Sequence, residues 1–383
     1  KELLLEGKYQ QLVNDGILKA QRFIEKDFKQ SMLEKRGELI YGTKVNTSEK
    51  VSAFRKKLDC IIENGEWQID LTPRPVIRHK QEPLFGKCDR NNHYLQQVQN
   101  SPSETDKASI KEYFENSRAS VKYLWKNKHR DETCSLPKFT KKQACKLLSG
   151  RRISIYGDST SFQLHDLLVD YFREGPLQCY GELFCKDHIL CKVEDNDDPE
   201  KPEFKESSVK FIRSDHLTVS NALFESGVVD LNDISIGWKA FIGYYNVIIL
   251  NTGHHYQDDE LFIASLITMV NFVRERSPNS LIIYKASTVG HLNCSNLQHP
   301  LKDERSYSEI DELPYNWNLI HKQNIMAKKI IEAAGGVYMD VEKLMETRID
   351  GHIGGQDCLR WCIPGPADVW LDLLFFILNE LNH

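Results

Sequence analysis

The run Asn246-Val247-Ile248-Ile249-Leu250-Asn251 is apolar on both faces of the strand it would form. A strand with no polar side needs cover above and below, which is the situation of a central strand in a parallel sheet. After Gly150 similar segments alternate with helical patterns. Strands are predicted over 152–156, 208–212, 246–251 and 280–285, and helices over 161–173, 258–276, 318–334 and 368–381. Such alternation implies an α/β fold, a doubly wound parallel sheet with helices on both faces. Ligands of these sheets sit at the carboxyl ends of strands. Ser159 and Asn251 both fall just past strand ends, so the fold and the chemistry point to one place.

Around this core (150–383) the chain reads differently. Residues 1–40 carry helical periodicity through Leu3, Leu4, Leu5, Leu12, Ile17, Leu18, Phe23 and Ile24, with charge between them. Residues 1–50 are therefore expected to be a helical stem or partner-binding segment, or a helix packed on the body, with Gly42 to Glu49 a linker. Residues 51–383 form the main domain, in which 60–140 is turn-rich, contains cysteines and is expected to be an irregular lobe stapled by disulfides. Lys186 to Ser207 is acidic and polar and reads as a mobile insertion.

A net charge of -5 gives no general attraction to nucleic acid or to anionic membrane. The basic pairs Lys141-Lys142 and Arg151-Arg152 lack interleaved aromatics, so no nucleic-acid partner is expected. No apolar run reaches the ~18 residues of a membrane helix, and Leu371 to Leu378 is better read as a buried helix. Membrane contact is expected only through an anchor outside this chain, which starts at Lys1. The ten cysteines lack the paired spacing of a zinc site, and oxidised pairing in a secretory lumen is the preferred reading. Asn46-Thr47-Ser48 and Asn293-Cys294-Ser295 are glycosylation acceptors consistent with that compartment.

Three short blocks carry chemistry. Ile153-Ser154-Ile155-Tyr156 runs into Gly157-Asp158-Ser159-Thr160 and then a helical pattern. A serine at a sharp strand-to-helix turn exposes its hydroxyl above the sheet, with a helix N-terminus near the developing oxyanion. Gly157 allows close packing and Asp158 fixes the turn through a backbone hydrogen bond. The plainer alternative is an ordinary turn with a helix cap at Ser159 or Thr160. In Asn251-Thr252-Gly253-His254-His255 the asparagine amide can donate to an oxyanion and Gly253 lets a backbone amide approach. Alternatively these residues close a strand and the histidines are solvated. No ligand spacing supports a metal there. In Asp357-Cys358-Leu359-Arg360 an aspartate suited to orienting an imidazole precedes an arginine, which stays protonated and cannot take a serine proton. Arg360 can instead pair with Asp357 and hold the loop, or bind an acidic sugar or phosphate.

The chain resembles the PC-esterase family, the trichome birefringence-like and related glycan O-acetyltransferases of the SGNH/GDSL superfamily. The resemblance rests on Asn64-Gly65-Glu66-Trp67-Gln68-Ile69-Asp70, Cys134-Ser135-Leu136-Pro137-Lys138-Phe139, Gly157-Asp158-Ser159, Phe211-Ile212-Arg213-Ser214 and Asn251-Thr252-Gly253-His254. It continues through Gly290-His291-Leu292-Asn293-Cys294, Tyr315-Asn316-Trp317, Arg348-Ile349-Asp350-Gly351-His352 and Asp357 to Gly365, covering about residues 60–381. It implies an SGNH-like fold and a serine enzyme of the Golgi or secretory lumen, either a type II membrane protein in full-length form or secreted. Such enzymes move acetyl groups onto polysaccharide or glycoprotein glycans, with no bound cofactor and an acetyl donor such as acetyl-CoA as co-substrate.

By position in the resemblance, Ser159 would be the nucleophile and Asp357 the triad acid. Asn251, with Arg213, would stabilise the oxyanion, and Gly157, Asp158, Gly253 and His254 would complete the substrate-binding set. Cys294 with Cys358 would be one disulfide, and Cys362 would join the N-terminal cysteine-rich region. Arg360 stands where the family keeps its catalytic histidine.

Three functions fit these residues. The first is an active O-acyltransferase or esterase with a substitute base, His352 being nearest in sequence and His254 lying on another loop. The second is a catalytically inactive member that binds glycan in the same cleft. The third is a scaffolding protein that recruits a protein partner through residues 1–40.

Overall fold

Val247–Leu250 and Leu281–Lys285 are buried at every position and run side by side in parallel, as their unbroken apolar character requires. The computed structural model describes residues 15, 18–22, 48–72, 88, 121–129, 131–172, 177–195, 203–217, 239, 241–296, 299–302 and 313–381. In chain order these form α1 (Ser48–Glu63), β1 (Gly65–Ile69), β2 (Tyr123–Asn127), α2 (Lys141–Leu148), β3 (Arg152–Gly157) and α3 (Ser159–Phe172). Next come β4 (Cys179–Tyr180), β5 (Phe184–Cys185), β6 (His188–Asp195), β7 (Glu203–Arg213), β8 (Val247–Leu250), α4 (Asp259–Arg276) and β9 (Leu281–Lys285). The chain ends with α5 (Trp317–Ala333), β10 (Val337–Met339), α6 (Glu342–Met345), β11 (His352–Gly354), β12 (Asp357–Trp361) and α7 (Val369–Glu380).

The main sheet has the order β10-β9-β8-β3-β7, all parallel, and β5 and β6 extend it antiparallel to β7. Helices α4 and α5 pack together, and α7 packs with α2 and α3 as a second group. The chain leaves β3 toward β7 on one side and returns to β8 on the other. The crevice between the carboxyl ends of β3 and β8 is therefore the topological switch point, where this architecture binds ligands. Helix α7 is apolar nearly all round and its residues Leu373, Leu374 and Ile377 are fully buried, so it is a core helix. No described helix is long and apolar enough to cross a membrane.

The structure departs from expectation in one place. The described parts of the stretch expected to be a mobile insertion instead form the antiparallel pair β6–β7, with His188 to Asp195 paired to Val209 to Glu203, while 196–202 lie outside the described residues. The polar character of this pair belongs to an edge strand with one face in water, and Lys192 pairs with Glu206 across it. The lobe expected over 60–140 is stapled by Cys60–Cys134 and Cys88–Cys362. Its residues 73–87, 89–120 and 130 lie outside the described residues. Its described part includes the antiparallel pair β1–β2, in which Trp67 and Trp125 meet edge to face at 5.6 Å. Gly65 is required there, since a Cβ would lie 2.1 Å from the Trp125 indole. Of residues 1–40 only 15 and 18–22 are described. Ala20 is buried and Lys19 Nζ lies 3.4 Å from Asp259, so this short stretch packs on the body. The remainder of the expected partner-binding segment lies outside the described residues.

Asp340 follows β10. Burial and the neighbouring Glu342 charge push its carboxyl up to about 6. Its folded value exceeds the unfolded one, so the fold binds extra proton between about pH 4 and 6 and loses stability as pH rises through that window. Asp340→Asn is expected to raise stability on the order of 2 kcal/mol at pH 7.5 and to change little at pH 4. Urea unfolding at the two pH values checks this.

Candidate active site

Ser159 opens α3 directly beyond β3, where the helix dipole favours developing negative charge. The turn that presents it is tight. A Cβ on Gly157 would lie 2.6 Å from Ser161 Oγ and 2.8 Å from the Asn251 carbonyl oxygen, so only glycine fits. Asp158 Oδ1 accepts from the amide and hydroxyl of Thr160 at 2.8 and 2.7 Å, which fixes the turn. Ser159 is half-buried, and its hydroxyl makes no hydrogen bond among the described residues.

Ser159 lines a cleft of about 700 Å³ together with Asp158, Glu182, Arg213, His254, His255, Tyr315, Asp357 and Arg360. The walls come from the switch-point loops, the β4–β5 turn, the segment before α5 and the β11–β12 hairpin. Gln163 ties two of these parts together. Its side chain donates to the Trp361 carbonyl at 2.7 Å and accepts from the Trp361 amide at 3.0 Å, joining the serine helix to β12.

Asp357 and Arg360 are in the cleft, and they are bonded to each other. Arg360 Nε donates to Asp357 Oδ2 at 2.7 Å, its amide donates to Asp357 Oδ1 at 2.9 Å, and its Nη1 donates to Glu182 Oε1 at 2.5 Å. Burial lowers the guanidinium pKa, but Glu182 and Asp357 outweigh it and raise the net value. Arg360 is a permanent cation that closes the cleft wall by clamping two carboxylates from distant parts of the chain.

The remaining expected residues divide. Arg213 lines the cleft and donates to Asp215 through Nε and Nη2 at 2.9 and 3.1 Å. Asn251 requires a correction: it is fully buried and does not line the cleft. Its amide donates to the Lys285 carbonyl and to Ser287 Oγ, both at 2.9 Å, and its Oδ1 accepts from Ser161, so no donor is left for an oxyanion. Gly157 and Gly253 also stay out of the cleft lining. Gly253 has φ +152, and a Cβ there would meet Gln323 and Ser287 at 3.1 Å, so packing explains both glycines.

His352 requires a second correction. It is buried, stacks on Trp361 with ring centroids 3.9 Å apart, and does not line the cleft. Its Nε2 lies 2.7 Å from His291 Nδ1 and its Nδ1 lies 3.1 Å from the Arg360 carbonyl. Burial, and then the His291 charge, hold its pKa well below the usual value. It supports β12 from behind. His254 does line the cleft, but its Nδ1 is 2.9 Å from Asp158 Oδ2 and its Nε2 is 2.9 Å from the Thr288 carbonyl. Both nitrogens face acceptors, so neither offers a lone pair to Ser159. Burial would raise the Asp158 pKa, but the hydrogen bond and charge of His254, with His255 and Lys285, hold it far below the usual carboxylate range. The stabilisation this gives is in place above about pH 4 and is lost as the pH falls toward the folded value.

All ten cysteines pair. Cys294 is bonded to Cys358 and Cys362 to Cys88, and the others are Cys60–Cys134, Cys145–Cys191 and Cys179–Cys185. Sequence reasoning missed Glu182, Asp215 and the placing of His255. Asp215 stands two residues from Arg213, a spacing that could have flagged an ion pair.

A parallel sheet with a serine at the switch point, on a Gly-Asp-Ser turn, defines an SGNH-like α/β fold. Residues 264–377 match the model of the PC-esterase family, the GDSL/SGNH-like acyl-esterase family found in Pmr5 and Cas1p. The chain is similar to xyloglucan O-acetyltransferase 2 of Arabidopsis thaliana, at 20% identity over 66% of this chain and 72% of that protein. It is also similar to protein trichome birefringence-like 4 of Arabidopsis thaliana, at 22% identity over 88% of this chain and 78% of that protein. A 54-residue stretch is 43% identical to xyloglucan O-acetyltransferase 4 of Populus trichocarpa, covering 12% of this chain and 13% of that protein.

Proposed function

We propose that this protein is a glycan O-acetyltransferase or acetylesterase of the secretory lumen, working through an acyl-serine on Ser159. The observation that carries the reading is the Ser159 hydroxyl, unbonded among the described residues, at a helix N-terminus in a cleft of about 700 Å³. The similarity to xyloglucan O-acetyltransferases supports a polysaccharide acceptor and an acetyl donor as co-substrate. Five disulfides that leave no free cysteine support an oxidising compartment.

One observation favours a second reading, glycan binding without turnover. Asp357 is committed to Arg360, which cannot take the serine proton. The two readings separate when the protein is incubated with acetylated and unacetylated xyloglucan oligosaccharides and products are read by mass spectrometry. Loss or transfer of acetyl groups supports the first. Saturable binding with no change in acetylation supports the second and overturns the first.

A further inference from the structure

The cleft contains several proton acceptors, and nearly all are already committed. Asp158 is bound by Thr160 and His254, Glu182 by Arg360, and Asp357 by Arg360 and by the Leu359 amide. Both nitrogens of His254 are engaged, and the two arginines cannot accept. His255 differs. Neither of its ring nitrogens makes a hydrogen bond among the described residues, and its side chain is 13% exposed. Behind it, Asp215 is fully buried, with Oδ2 3.7 Å from His255 Nε2. The other charged or titratable groups around it are Arg213, which holds Asp215, Asp158, which feels the His255 charge, and His216, whose ring meets His255 edge to face at 5.8 Å.

We propose that His255, backed by Asp215, is the general base for Ser159, an inference that rests on the acyl-serine reading above. The His255 ring takes the Ser159 hydroxyl proton as Oγ bonds to the acyl carbon of an acetyl ester. The ester C–O bond then breaks, and the departing alkoxide takes that proton from His255 and leaves as an alcohol. An acceptor sugar hydroxyl, or water, repeats the exchange in reverse and frees the serine. A carboxylate behind an imidazole stabilises the imidazolium formed in each half-reaction. Asp215 is a positioning residue here, since it touches the base and not the substrate.

The test is the rate at which a fluorophosphonate ester labels Ser159 in the full chain, followed by peptide mass spectrometry across a pH series. His255→Gln is expected to lower the labelling rate at least about 100-fold and to remove the acid limb of the profile. Imidazole added to His255→Ala is expected to restore part of the rate. Labelling of His255→Gln within about threefold of the parent rate overturns this inference and leaves the acyl-serine reading standing. A parent chain unlabelled at Ser159 overturns both. If the variants do not fold, diethyl pyrocarbonate serves on the parent protein, because His255 is more exposed than the buried His254, His291 and His352. Modification mapped to His255 must then abolish Ser159 labelling, and retained labelling overturns the assignment.

Discussion

Ser159→Ala is expected to lower acetyl transfer or ester hydrolysis by about 1,000-fold or more, while oligosaccharide binding stays within about threefold. The size follows from the proposed role of the hydroxyl: without it the acyl-serine of that mechanism does not form, and the residual rate comes only from binding and electrostatics. The change is small for the fold. Ser159 is half-buried and its hydroxyl holds nothing in place, whereas the turn is fixed by Gly157, Asp158 and Thr160. A melting temperature close to that of the parent is therefore expected, and turnover and stability separate cleanly. Equal turnover in parent and variant would remove Ser159 from the chemistry.

Breaking Cys88–Cys362 is expected to cost far more stability than breaking Cys179–Cys185. The first spans 274 residues of sequence and the second 6. In the chain-entropy account, longer loops lose more freedom when closed, giving about 5 kcal/mol for the long bridge and about 2 kcal/mol for the short one. The larger figure is a large share of the net stability of many proteins. Cys362 directly follows β12 and Cys358 lies within it, so the strand carrying Asp357 and Arg360 is held by two bridges. The Cys88→Ala/Cys362→Ala protein should also lose the Arg360–Glu182 clamp and its ligand binding. Guanidinium unfolding of both double variants checks the order, and a larger loss from the short bridge would contradict it.

The parallel core is legible in the sequence because β8 and β9 are apolar at nearly every position and their helices follow at regular distance. The serine turn is legible for the same reason, since its chemistry is local. Asn251 misleads because its type suits an oxyanion donor, while its amide is consumed by Lys285 and Ser287, 34 and 36 residues away. His352 is near Asp357 in sequence, yet its ring turns to Trp361 and His291. Glu182 has no local signal, because its partner Arg360 lies 178 residues on. The β6–β7 pair is hidden by its charges, which an edge strand tolerates on its wet face.

The most direct test is peptide mapping after brief incubation with an acetyl ester and rapid acid quench. An acetyl group is predicted on the Ser159 hydroxyl, gone in Ser159→Ala and chased off by added oligosaccharide. An unmodified Ser159 peptide alongside measurable glycan binding would contradict the acyl-serine mechanism and leave the cleft as a binding site alone.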